Sequence, residues 1–324
     1  MNNLVVMGLA LLLSFSVQAE WHSAEDDIMG TRISIELWDE NPDHAQQVMS
    51  EVMAEMRRID NTLSTYKADS ELTRLNQKAA LAPVPVSAEL WSLMKEAHRI
   101  SVLTAGAFDI TFASVGQFYD YREGKSASDQ QIFDSLQAID YQSIVYDETD
   151  QTVFFRHDGT KIDLGGIAKG YAVDQGIDII ENAGLVSAIV TAGGDSKILG
   201  NRGDRPWIVG IRNPRSENNQ DYSVMIPLED VALSTSGDYE RFFMQGERRV
   251  HHIINPQTGR SASEVRSVSV LAGKGIESDA LSTSVFVLGV AKGLELINKL
   301  EEIEAIIIDQ QGKLHYSEGL LSAE

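Results

Sequence analysis

Four short segments of this 324-residue chain combine glycines with side chains able to do chemistry. Asp163-Leu164-Gly165-Gly166-Ile167-Ala168-Lys169-Gly170 reads as a strand end running into a helix start. Glycines there let the backbone approach a ligand closely, and free N–H groups at the helix start, together with Lys169, suit a phosphate. The spacing matches neither the Walker nor the Rossmann glycine pattern, so a purely structural turn is an equal reading. Thr191-Ala192-Gly193-Gly194-Asp195 also follows a strand, and its plain reading is a turn whose aspartate caps something. Leu233-Ser234-Thr235-Ser236-Gly237-Asp238 is followed by His251-His252-Ile253-Ile254-Asn255-Pro256-Gln257-Thr258-Gly259. Neighbours on a strand point to opposite faces, so His251 and His252 do not readily hold one metal ion. Substrate contact or proton transfer by one of them is the better reading. In Ser278-Asp279-Ala280-Leu281-Ser282-Thr283, a helix would put Asp279, Ser282 and Thr283 on one face. One carboxylate with two hydroxyls is a hard oxygen set suited to Mg2+, with a helix cap as the competing role for Asp279.

Composition narrows what these groups can serve. The apolar set makes up 43% and charged residues 23%, which describes a folded globular protein with a sizeable core. Lys and Arg number 27 against 48 Asp and Glu, and the resulting net charge of −21 repels polyanions, so nucleic acid is excluded as a partner. There is no cysteine, hence no disulfide framework, thiolate metal site, cysteine nucleophile or lipidated cysteine. Any metal must sit on oxygen or imidazole.

Residues 1–19 carry no charged side chain and run Leu4-Val5-Val6-Met7-Gly8-Leu9-Ala10-Leu11-Leu12-Leu13 before closing on Val17-Gln18-Ala19. This has the length and small-residue ending of a signal peptide, although the usual Lys or Arg is missing and a retained anchor is the rival reading. Export with cleavage after Ala19 is expected. No later run approaches ~20 apolar residues, so no membrane span is expected after cleavage. A periplasmic location is the expectation.

The elements that must position the four segments alternate along the chain. Arg32–Trp38 alternates as a half-buried strand, and Val48, Val52, Met56, Ile59 and Leu63 form a helical stripe whose methionines are core. Ser87 caps a second helix with Leu90, Leu93, Met94 and Ala97, and Ser128 to Gln131 reads as a capping box. Strands are expected at 143–146, 152–155, 161–164, 187–190, 207–211, 222–226, 231–234, 251–254, 265–271 and 305–308. Helices are expected at 168–183 and around 294–300. Short turns between adjacent strands favour antiparallel pairing. The expected class is therefore α+β, with mixed, largely antiparallel sheets flanked by helices. Residues 20–324 make a single domain or two intimate subdomains. Gly166-Ile167-Ala168-Lys169-Gly170 is echoed by Gly289-Val290-Ala291-Lys292-Gly293, each opening a helix; chance recurrence is the favoured explanation over duplication.

These motifs, with Met29-Gly30-Thr31, Leu63-Ser64-Thr65-Tyr66, Ser70-Glu71-Leu72 and Gly106-Ala107-Phe108-Asp109-Ile110-Thr111, fall in an order that resembles the ApbE family of FAD:protein FMN transferases. The resemblance spans about Ile28 to Gly289. It implies an ApbE-like, T-fold-related architecture and an enzyme that takes FAD as substrate. With Mg2+, such an enzyme transfers FMN to a Ser or Thr hydroxyl of an acceptor protein and releases AMP. By the family's motifs, Mg2+ falls to the carbonyl of Gly166 and to the side chains of Asp279 and Thr283, with Ser282 close by or ligating through its main chain. FAD contacts fall to Met29, Tyr66, Ala107, Phe108, Asp109, Asp163, Lys169 and Ile253, and His252 and Asp279 are the expected catalytic residues. Core packing is the plain alternative for Phe108 and Ile253. The implied acceptors are exported segments bearing a Ser/Thr motif, such as subunits of sodium-pumping NADH–quinone reductase or Rnf-type complexes. The chain lacks the lipoprotein cysteine of some relatives. An FAD pyrophosphatase giving FMN and AMP, and a non-catalytic FAD-binding protein, are the alternatives.

Overall fold

Eight strands lie side by side in the order in which the chain makes them, and every neighbouring pair is antiparallel. They are β1 (Glu20–Ile28), β2 (Thr31–Asp39), β3 (Ala188–Ala192), β4 (Asp195–Leu199), β5 (Ala232–Gly237), β6 (Val265–Ala272), β7 (Glu304–Asp309) and β8 (Leu314–Tyr316). The structure is a computed structural model that describes residues 20–218 and 220–321, so the signal expected over residues 1–19 lies outside the described residues. The class is the α+β arrangement expected from the short connections.

Among the described residues, five helices of eight residues or more accompany the sheet: α1 (Pro42–Leu63), α2 (Glu71–Lys78), α3 (Ala88–Leu103), α4 (Ala168–Asn182) and α5 (Gly275–Ile297). One face of the sheet carries α1, α4 and α5, with α1 packed on α4, α4 on α5, and α5 on β5 and β6. The α1 stripe of Val48, Val52, Met56, Ile59 and Leu63 is buried as its spacing requires, each such side chain stabilising the fold by about 1.5–3 kcal/mol. The other face is covered by a hairpin of Trp207–Arg212 and Tyr222–Leu228. Its Trp207, Ile211 and Leu228 pack on Ile198, Leu233, Leu271, Ile306 and Ile308. Ser87 accepts the Leu90 N–H at 3.2 Å, and Ser128 and Gln131 form the reciprocal capping box. By length and composition α5 could cross a membrane, but Leu281, Val285, Phe286 and Ile297 are buried in the core.

Five features differ from expectation. Strand β1 was not legible because Glu20–Ile28 is an edge strand of mostly polar residues with no clean alternation. It turns Met29-Gly30 into a two-residue hairpin loop with φ of 56° and 68°, the positive values a type I′ turn requires. Helix α2, only eight residues long, was also unforeseen. The strand expected at 161–164 does not form. The Asn76 side chain takes both backbone groups of Ile162 at 2.8 Å, Lys161 N–H goes to Ser114, and Asp163 N–H goes to the Ile110 carbonyl. The strand expected over 251–254 is broken at His252-Ile253, leaving Arg248–His251 and Ile254–Asn255 in separate hairpins. The helix expected near residue 294 is the end of α5, which Gly289 interrupts with φ 76°, so the second glycine motif does open a helical segment.

Candidate functional site

The site is organised by a close helix crossing. A Cβ on Gly170 would stand 2.0 Å from the Gly275 carbonyl oxygen, so α4 and α5 meet backbone to backbone there and only glycine fits. Asp174, one turn further along α4, caps α5 by accepting the N–H groups of Gly275 and Ile276 at 2.7 and 2.9 Å. The contact brings Asp279 of α5 onto the first turn of α4, where its Oδ2 accepts the Gly170 N–H at 2.9 Å. Lys169 Nζ pairs with Asp195 and lies 3.4 and 3.5 Å from the two Asp279 oxygens. Asp195 is the first residue of β4, fixed there by the Gly193-Gly194 turn, where Gly193 has φ 63° and lies hard against Thr31.

Both carboxylates of this triad are buried, Asp195 at 1% exposure and Asp279 at 2%. Burial, reinforced by Asp195, pushes the Asp279 carboxyl above its ordinary range against the pull of Lys169 and the Gly170 N–H. Burial opposes the charge on Lys169, but the two carboxylates outweigh it and hold the ammonium above its ordinary value. Lys169 is therefore a fixed cation at neutral pH.

Hydroxyls continue the cluster. Ser234 meets Ser278 at 2.7 Å and Ser236 meets Ser282 at 2.8 Å, a strand pair at i, i+2 matched to a helix pair at i, i+4. Ser236 also reaches Thr283 at 3.2 Å, and Ser282 donates to the Asp279 carbonyl at 2.9 Å. Gly166 closes the group: a Cβ there would lie 3.3 Å from Thr283 Oγ1 and 3.2 Å from the Phe108 ring. Asp279, Thr283, Ser282 and Gly166, the oxygen donors expected from sequence, thus lie together. Asp279 Oδ1 has no hydrogen-bond partner among the described residues nearer than Lys169 at 3.5 Å. No group of three or more His, Cys, Asp or Glu is placed to hold a metal among the described residues. The set with one carboxylate still fits a hard divalent cation that keeps waters and takes phosphate oxygens.

The remaining expected residues extend from this centre. Asp163 accepts the Thr65 hydroxyl at 2.8 Å and the Gly165 N–H at 2.7 Å, tying the end of α1 to the glycine turn. Tyr66 follows Thr65 and is 87% exposed, an aromatic face with nothing laid on it. Ala107, Phe108 and Ile253 are buried in the main core, with Phe108 against Gly166. Asp109 is satisfied within the protein: it accepts from the Thr111 N–H and hydroxyl at 2.8 and 2.6 Å and from the Tyr141 N–H at 3.0 Å. Burial nevertheless lifts its carboxyl to about 6. Met29, at the β1–β2 tip, packs partly on the core, and the Gly30 carbonyl accepts from Arg241 at 3.4 Å.

The two histidines do face opposite ways. His251 points into the core, donating from Nε2 to the Ala262 carbonyl at 2.7 Å and lying edge-on to Phe286. Half-buried His252 hydrogen-bonds through its backbone to Arg241, and its Nδ1 is buried without a partner among the described residues. Burial, with Arg241, His251 and Lys169 nearby, pushes its pKa down to about 3, so the ring is neutral at pH 7. A buried ring nitrogen with no partner among the described residues, close to Arg241 and Lys169, fits an anionic group.

Asp195, Thr65, Ser236 and Arg241 belong to the site but were not assigned to it from sequence. Asp195 and Ser236 stand inside glycine-bearing segments already singled out, and Thr65 inside another motif. Arg241 had no signal, because the chain reversal that brings it to the β1–β2 tip depends on the unforeseen β1. Two surface hollows, one lined by Arg57, Arg58 and Arg74, the other by Arg99, Lys274 and Glu277, include none of these residues.

Residues 29–307 match the ApbE family. The chain is 30% identical over 304 residues to the FAD:protein FMN transferase of Vibrio cholerae, covering 90% of this chain and 89% of that one. It is 29% identical over 318 residues to the enzyme of that name from Treponema pallidum, covering 93% and 88%. The crystal structure of the ApbE protein of Thermotoga maritima superposes with a TM-score of 0.85 at 31% identity, covering 93% of this chain and 98% of that one. The flavin transferase ApbE of Vibrio cholerae superposes at 0.82 and 28%, covering 94% and 99%. A family match over most of the chain, an oxygen-donor cluster and the shared fold converge, and this chain belongs to the ApbE family.

Proposed function

We propose that this chain is an FAD:protein FMN transferase: with Mg2+ it transfers the FMN moiety of FAD to a Ser or Thr hydroxyl of an acceptor protein and releases AMP. The observation that carries the reading is the grouping of Asp279, Thr283 and Gly166 beside Lys169 at the α4–α5 crossing. In the proposed step the acceptor oxygen bonds to the phosphorus on the riboflavin side. The bond from that phosphorus to the bridging oxygen breaks, and AMP leaves with that oxygen. Lys169 and Arg241 attract the pyrophosphate, and Tyr66 offers its ring face to a flat ring system. His252 Nδ1 takes the acceptor hydroxyl proton once anionic phosphate offsets the burial and the two neighbouring cations that depress its basicity. Asp279, Thr283, the Gly166 carbonyl and Ser282 would hold Mg2+, which supplies neutralisation of phosphate charge when bound.

We further propose export by a cleaved signal at residues 1–19, a periplasmic location, and acceptors with a Ser/Thr flavinylation motif, such as NADH–quinone reductase or Rnf-type subunits. The test is to incubate residues 20–324 with FAD, Mg2+ and such an acceptor domain. Flavin fluorescence is then read on the denatured acceptor band, together with its mass. A fluorescent band that disappears with EDTA and in Asp279→Ala is expected. Free FMN and AMP without a labelled acceptor would make the protein an FAD pyrophosphatase, and intact FAD throughout would leave a binding protein.

A further inference from the structure

Lys169 is one ammonium set between two buried carboxylates, and it does not share itself equally: it is paired with Asp195 and stands 3.4 Å or more from Asp279. Asp195 is held there independently of Lys169. It begins β4 after a two-residue turn, and its backbone is in register with Ala192 on one side and Ser234 on the other. Gly194 is pressed so close that a Cβ would lie 2.7 Å from the Thr235 carbonyl, so the turn has one position only. Asp279 is anchored too, through the Gly170 N–H at 2.9 Å. Lys169 is the flexible member of the triad, and attraction to whichever carboxylate is stronger decides where its charge sits.

We propose that Asp195 is a positioning residue that draws Lys169 Nζ away from Asp279, leaving the Asp279 carboxylate open to a divalent cation. The inference rests on reading Asp279 as a cation ligand. Without the Asp195 charge, the buried ammonium has a single carboxylate to pair with, closes on Asp279 and competes with the cation for the same oxygens. Asp195 would then act on the cation site without touching the cation.

Titration of Mn2+ into the protein without FAD or acceptor, with free Mn2+ read by electron paramagnetic resonance, tests this apart from turnover. Asp195→Asn is expected to weaken Mn2+ binding ~10–100-fold, the range for losing a partner that orients a metal ligand. Adding Lys169→Met to Asp195→Asn is expected to restore the affinity, because the competitor is gone. Lys169→Met alone is expected to bind Mn2+ at least as tightly as the parent protein. That single variant keeps the test alive if Asp195→Asn does not fold. A purely structural Asp195 gives no such rescue. Parent-like binding in Asp195→Asn, a double variant as weak as Asp195→Asn, or weakened binding in Lys169→Met overturns the proposal. Asp279→Ala is the control: if it binds Mn2+ as the parent does, the cation reading itself falls, and with it this inference.

Discussion

Gly170 and Asp279 are 109 residues apart in the chain, yet the backbone N–H of one donates to the carboxylate of the other at 2.9 Å, across a crossing too tight for any side chain. The helix-start N–H that could have been spent on a phosphate is used to orient the acid instead. In the proposed mechanism phosphate attraction is left to Lys169 and Arg241, and the acid is held by a bond that does not consume its second oxygen.

Gly170→Ala should therefore be severely destabilising for a one-methyl change. Its Cβ would fall 2.0 Å from the Gly275 carbonyl oxygen, and relief requires α4 and α5 to separate. A loss of about 1–3 kcal/mol or more is expected from urea denaturation, with cation binding lost alongside. Parent-like stability would show that the helices do not meet in this way.

Tyr66→Ala should separate binding from folding. The side chain is 87% exposed, so the melting transition should stay within about 0.5 kcal/mol of the parent. Loss of a stacking surface should weaken FAD binding by roughly 0.5–1.5 kcal/mol, a few-fold to about tenfold in Kd. Unchanged FAD affinity by fluorescence quenching would remove Tyr66 from the flavin site.

Thr65→Val removes the hydroxyl that donates to Asp163 at 2.8 Å while keeping the shape. A hydrogen bond to a charged group contributes about 1.5–3 kcal/mol, less where solvent reaches it. A modest fall in stability and a larger rise in the KM for FAD are expected, since Asp163 also fixes the Gly165 N–H. Equal effects on kcat and none on KM would argue against a binding role for this turn.

His252 gives a pH signature. Its folded pKa, about 3, lies below the ordinary value of 6.5, so the unfolded chain binds more protons between those limits. Its contribution to stability is thus fully present above pH ~6.5 and is lost as pH falls toward 3. Asp109, lifted to about 6 from 3.8, has the opposite sign: its contribution is present below pH ~4 and is lost as pH rises to 6. His252→Gln should flatten the acid limb of the stability profile relative to the parent, whereas an unchanged slope between pH 6 and 4 would mean the ring is not held neutral.

Much of this was legible because it is local. The α1 stripe, the Ser87 and Ser128 caps and the glycine-bearing strand ends are written in adjacent residues, and the Asp279, Ser282 and Thr283 face follows from helical spacing alone. What was hidden depends on partners far along the chain. Asn76 replaces a whole strand neighbour for Ile162, so the β-rich run at 161–164 stays out of any sheet. For Asp109, flanked by apolar residues, the sequence suggests an adenine or ribose hydrogen bond as the partner its buried carboxylate needs, whereas in the structure Thr111 and Tyr141 supply its partners from within the chain. Asp195 looked like a turn cap because nothing nearby reveals that Lys169 will arrive opposite it.

The strand order carries a consequence for how the site comes into being. β2 and β3 are neighbours, with Leu37 opposite Ala188, but everything between Asp39 and Ala188 must be threaded before they can pair. Closing so long a loop costs chain entropy that only the finished insertion can offset, which makes this pairing a late event in folding. Tyr66, Phe108, Asp163 and Lys169 all ride in that insertion, whereas Met29 lies before it and Asp195 and Asp279 after it. A partly folded chain therefore has no half-built site: the groups proposed to face flavin and cation meet only when the sheet closes, so flavin binding should report completed folding and not its early stages.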